Sequence, residues 1–204
     1  MFYPMMVDIE DKNIVIVGAG KVAFRKAKKF LEFGAIVSVV GKHIIEEFYD
    51  LKTQYDKKID IIEDVCREKY LSHAFMVVAA TSSFNVNKDI NKFCVENNIL
   101  CNVVDNIEDS SFIVPSTVQR GDLTLAISTL GNSPFLCSKI KKELEDKYGR
   151  EYEEYVDILG KIRDIVLENY KDEKDRKDVL RYIVDLNLDE LKEFYIKIRL
   201  KFYR

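Results

Sequence analysis

The 204-residue chain is 47% hydrophobic and 33% charged, with 8 Gly and 3 Pro, which is too apolar for disorder and too poor in Gly and Pro for a fibrous or low-complexity protein. Its 32 Lys and Arg stand against 35 Asp and Glu, a net charge of -3 that supplies no global positive field for nucleic acid. No run approaches the roughly 20 apolar residues of a membrane span, and residues 1–8 carry no basic segment leading into an apolar one, so a soluble cytoplasmic protein is expected. The first hundred residues alternate apolar runs with helical spacing. A strand is predicted at 13–17, then a helix at 22–33 closed by Gly34, a strand at 35–40, a helix at 44–54 and a strand at 59–63. A strand at 75–80, a helix at 86–97 and a strand at 100–104 follow. Strands that are apolar throughout, rather than alternating, predict a parallel sheet covered on both faces.

The pattern changes after Asp105. Short strands are predicted at 111–114, 116–119 and 123–128, the last two joined by the turn-like Arg120-Gly121-Asp122 and antiparallel. Ser133-Pro134 supplies an N-cap and a first-turn proline for a helix reaching Tyr148. The remainder contains no proline and repeats apolar residues at helical spacing (Tyr155, Ile158, Leu159, Ile162, Ile165, Val166), with further sets at 174–184 and from Leu188 on. The expected organisation is an α/β doubly wound domain over residues 1–110, a small α+β region over 111–148 and a helical domain over 149–204. Cys66, Cys94, Cys101 and Cys137 form no CxxC pattern and are expected as free thiols in a reducing cytosol. With His43 and His73 as the only histidines, no metal site is expected.

The main chemical signal is Gly18-Ala19-Gly20-Lys21-Val22-Ala23, a GxGxxA loop between a predicted strand and a predicted helix. Gly18 makes the turn, Gly20 lets a diphosphate approach the backbone, and Ala23 lets helix and strand pack, the signature of a Rossmann-type dinucleotide site. The end of the second strand holds Gly41-Lys42-His43 with no carboxylate before Glu46, so this spacing leaves NAD against NADP open. Thr81, Ser82 and Ser83 follow the 75–80 strand at the edge where ligands of open α/β sheets gather; for the serines an ordinary N-cap role competes. Asp105, in Asn102-Val103-Val104-Asp105-Asn106, ends the next strand, where a carboxylate could accept a proton as hydride leaves to a nicotinamide. A turn or capping role for Asp105 competes with that reading, and Asp109 is the rival base.

Taken together, Tyr3-Pro4-Met5-Met6-Val7-Asp8, the loop from Val17 to Ala23 with Arg25-Lys26-Ala27, Ala79-Ala80-Thr81, Asn102 to Asp105, Phe112 to Pro115 and Ala126 to Pro134 resemble the precorrin-2 dehydrogenases of siroheme synthesis. The resemblance spans about residues 3–145. It implies NAD-dependent oxidation of the tetrapyrrole precorrin-2 to sirohydrochlorin by a homodimer whose region 111–148 serves dimerisation, and some members also insert ferrous iron. On this mapping Asp105 is the functional carboxylate, Lys21, Val22, Lys42 and His43 are cofactor contacts, and Ser128 approaches the tetrapyrrole. The substrate is a polycarboxylate, so Lys21, Arg25, Arg120, Lys139 and Lys141 are candidate anion contacts. Leu130-Gly131-Asn132 stands where many relatives carry Gly-Gly. The rival within enzymes is a bifunctional dehydrogenase and ferrochelatase, and the expectation is weak or absent chelation. The rival from another class is an NAD(H)-binding ligand sensor, which needs no base at Asp105.

Overall fold

The computed structural model describes residues 1–104 and 106–203, and the chain divides into two compact units, Met1–Val114 and Pro115–Arg204. Asp105, the expected base, lies outside the described residues.

In the first unit five parallel strands lie in the order β3-β2-β1-β4-β5, formed by β1 (Asn13–Val17), β2 (Ile36–Gly41), β3 (Ile59–Glu63), β4 (Met76–Ala79) and β5 (Leu100–Val103). Helices α1 (Lys21–Glu32) and α2 (Glu47–Tyr55) cover one face, where Ile14, Ile16, Val37, Val39 and Val78 meet Ala27, Phe30, Leu31 and Phe48. The other face packs Val15, Val17, Val77, Ala79 and Val103 against Leu71 of α3 (Glu68–Leu71) and Ile90 and Cys94 of α4 (Phe84–Glu96). Burial on both faces is the reason β1 and β4 read as unbroken apolar runs. Gly34, at φ +79, follows α1 as its C-terminal glycine. Helix α3, only four residues long, is too short to show a period and was not expected from sequence.

The strand expected at 111–114 does not form. Instead Ser110 and Ser111 close the free edge of β5 with side chains. Cys101 N donates to Ser111 Oγ at 2.7 Å and Val103 N donates to Ser110 Oγ at 2.9 Å, while Ser111 N donates to the Cys101 carbonyl at 2.8 Å. Hydroxyls therefore take the ladder positions that a sixth strand would fill.

In the second unit β6 (Ser116–Arg120) and β7 (Leu123–Ile127) form the expected antiparallel hairpin, turning at Gly121, whose φ is +55. Helix α5 (Pro134–Lys147) starts as predicted, with Leu136 N donating to Ser133 Oγ at 3.3 Å. Helices α6 (Glu151–Asn169), α7 (Glu173–Tyr182) and α8 (Leu188–Phe202) enclose a core of Ile158, Ile162, Val166, Ile183 and Leu191. The Tyr155 hydroxyl lies within 3.5 Å of the Ile183, Val184 and Leu186 carbonyls and ties α6 to the α7–α8 connection. Among the described residues no helix is long and apolar enough to cross a membrane.

Candidate functional site

The strand order reverses between β1 and β4, and a crevice outside their carboxyl ends is where an open α/β sheet takes its ligand. The loops after these two strands meet there. Gly18 N donates to the Val40 carbonyl at 2.8 Å, and Gly18 itself adopts φ +106. A Cβ built on Gly18 would stand 2.3 Å from the Ala80 carbonyl oxygen, so this glycine is required both by conformation and by the neighbouring loop. Gly18→Ala is accordingly expected to lower stability by about 1–3 kcal/mol, read as a fall in the urea midpoint with an unchanged slope.

Gly20 is different. Its φ of -93 and ψ of -174 are open to any residue, and a Cβ there would meet nothing within 4 Å. Neither the backbone nor the packing asks for glycine, yet the open space lies at the N-cap of the 12-residue α1, where no side chain caps the helix and no acidic residue occupies the first turn. Free amides, the positive end of the helix dipole and a cradle that a side chain would fill suit the diphosphate of a dinucleotide. Lys21 and Val22 are exposed beside this cradle, whereas Ala23 is buried against the sheet, so the small residue serves helix–strand packing.

Gly41, the last residue of β2, approaches the same loop closely. Its Cβ would lie 3.0 Å from that of Ala19. Lys42 and His43 follow as exposed residues.

After β4, Thr81 is held by Asn87 of α4. Thr81 N and Oγ1 both donate to Asn87 Oδ1, at 3.2 and 2.6 Å, and Asn87 Nδ2 donates to the Thr81 carbonyl at 3.1 Å. Thr81 and Asn87 line a cavity of about 260 Å³ together with Phe84, Val103, Asn106 and Asp109. Asp109, the rival base, accepts from Asn106 Nδ2 at 2.6 Å and donates its own N–H to Asn106 Oδ1 at 3.2 Å, so its carboxylate is already engaged.

Two further polar residues, neither part of the glycine loop, meet between α1 and β5. Lys26 of α1 donates to Asn102 Oδ1 of β5 at 2.9 Å, and Asn102 Nδ2 donates to the Phe112 carbonyl at 3.1 Å. Asn102 is buried at the end of the strand that precedes Asp105 in sequence. The signal was present in both elements. Lys26 falls on the inward stripe of α1 with Ala23, Ala27 and Phe30, and Asn102 interrupts an otherwise apolar strand.

In the second unit Ser128 is exposed and its Oγ accepts from Leu130 N at 3.1 Å. Leu130 takes φ +51 and Gly131 φ +83, so the leucine occupies the left-handed conformation that glycine adopts without strain. Arg120 Nε, Nη1 and Nη2 donate to the carbonyls of Tyr148, Gln119 and Glu145 at 2.9, 2.8 and 3.4 Å. Two of these carbonyls belong to the C-terminal turn of α5, where a cation also opposes the helix dipole.

Residues 5–116 match the family model described as putative NAD(P)-binding, and residues 120–147 match the model described as sirohaem biosynthesis protein central. The chain is 31% identical over 198 residues to the precorrin-2 dehydrogenase of Methanosarcina barkeri, covering 90% of this chain and 83% of that protein. It is 30% identical over 201 residues to the precorrin-2 dehydrogenase of Priestia megaterium, covering 96% and 98%. Among solved structures it superposes on SirC, precorrin-2 dehydrogenase, with a TM-score of 0.81 and 29% identity, covering 97% of this chain and 99% of that one.

Proposed function

The chain belongs to the precorrin-2 dehydrogenase family, and on that premise we propose that it oxidises precorrin-2 to sirohydrochlorin with NAD in siroheme synthesis. The observation that carries the reading at the level of the site is the open cradle at Gly20 above the uncapped N-terminus of α1. Bound NAD supplies the acceptor for one hydride; a proton must leave the same substrate, so the protein needs a base. Asp105 is our candidate for that base, at the sequence position just beyond β5. Gly18 and Gly20 shape the diphosphate cradle, Lys21 and Val22 flank it, and Lys42 and His43 are proposed for the adenosine side. Thr81 belongs to the nicotinamide side.

Ser128 is proposed as a substrate contact. Arg120 has five N–H groups, of which three serve backbone carbonyls, so two donors remain for a substrate carboxylate. Anaerobic incubation with precorrin-2 and NAD tests the assignment. The sirohydrochlorin spectrum should appear together with NADH, and no NAD-dependent change with authentic substrate would sink the reading.

We further propose a cytoplasmic homodimer. Helices α5 and α6 pack on the β6–β7 hairpin, but each of its two strands keeps one edge unpaired within the two-stranded sheet, which favours a second copy along the hairpin. Light scattering at micromolar concentration should give a mass near twice the 23.8 kDa of one chain; a mass near 23.8 kDa rejects the dimer.

A further inference from the structure

Asn87 is one of the few buried polar residues of the first unit, 7% exposed, in the first turn of α4. Its amide orientation is dictated by its neighbours. Oδ1 faces two donors, Thr81 N and Thr81 Oγ1, and Nδ2 faces the Thr81 carbonyl; the flipped amide would set donor against donor and acceptor against acceptor. Thr81 Oγ1 in turn accepts from Ser83 N at 3.2 Å. One side chain thus engages the N–H, the C=O and the hydroxyl of Thr81. The neighbouring residue Ala80, whose carbonyl stands against Gly18, is held separately, its N–H donating to the Val17 carbonyl at 2.7 Å. The brace therefore acts beyond the glycine cradle, from Thr81 on, where Asn87 lines the adjoining cavity.

Resting on the dinucleotide reading above, we propose that Asn87 is a positioning residue for the nicotinamide half of the cofactor: it holds the 81–83 loop in its bound shape before the dinucleotide arrives. A loop ordered in advance costs nothing to order on binding, and that saving appears as affinity. The adenosine half lies against the Gly18–Ala23 and Gly41–His43 segments and draws nothing from this brace.

NADH titrated by its fluorescence, with ADP measured as a competitor, separates positioning from simple stabilisation. Asn87→Ala should weaken NADH roughly tenfold, the order expected when a loop must be ordered during binding, while ADP affinity stays within twofold. Thr81→Val, which keeps the side-chain shape and removes the hydroxyl, should weaken NADH in the same direction and serves if Asn87→Ala does not fold. The double variant should bind NADH no more weakly than Asn87→Ala alone, because both changes break one brace. Unchanged NADH affinity overturns the proposal, and so does an equal loss of NADH and ADP affinity, which marks a general structural defect. A parent chain that binds NADH but does not oxidise precorrin-2 overturns the proposed reaction and leaves this inference standing; a parent that binds no NADH overturns both.

Discussion

Gly20→Val is expected to leave the protein folded and to weaken NADH binding by at least about a hundredfold. The backbone at Gly20 already has an extended conformation that valine adopts freely, and an added Cβ meets no protein atom within 4 Å. Valine is a poor N-cap, but Gly20 makes no side-chain cap to lose, so the cost to α1 should stay near 1 kcal/mol. The same branched side chain would enter the space over the first-turn amides, where a diphosphate must come within hydrogen-bond distance of the backbone. Several charge-assisted hydrogen bonds would be lost together, and at about 1.4 kcal/mol per tenfold the loss of two of them suffices for the predicted effect. A thermal melt by circular dichroism should move by only a few degrees while the fluorescence titration loses saturation. Retained NADH affinity in the folded variant would remove the diphosphate from this loop. The contrast with Gly18→Ala is diagnostic, since that substitution fails in the fold itself.

Asp105→Asn should lower turnover by about 10²–10⁴-fold, the usual contribution of a positioned general base. The change keeps the side-chain shape and removes only the ionisable carboxylate, so NADH affinity and the melting temperature should barely move. Single-turnover oxidation of precorrin-2 at saturating NAD measures the effect directly. The competing carboxylate, Asp109, is bound to the Asn106 amide and backbone-linked to the same residue, which weakens its claim. Parental turnover in Asp105→Asn would nevertheless move the base to Asp109. An unfolded variant would instead show that Asp105 caps the turn after β5.

The sequence by itself determined the features that depend on periodicity and on local turn chemistry. Apolar runs of strand length, helical spacing between them and a glycine loop at the first strand–helix junction required a parallel sheet with a dinucleotide cradle, because a strand buried on both faces can tolerate little else. The hairpin at Gly121 and the Ser133-Pro134 helix start were legible for the same reason, since turns and caps are made by residues adjacent in the chain. Residues 111–114 read as a strand because Phe, Ile and Val favour that state, but a strand also needs a partner, and here the hydroxyls of Ser110 and Ser111 had already closed the β5 edge. Arg120 reads as an anion contact in the sequence, and only the fold shows that three of its N–H groups also serve backbone carbonyls, two of them at the end of α5. Lys26 and Asn102 stand 76 residues apart, and only the fold brings the side chain of α1 to that of β5. The brace between Asn87 and Thr81 spans six residues, yet it too required the tertiary structure, because a buried amide reveals its task only when the backbone groups left without other partners around it are known.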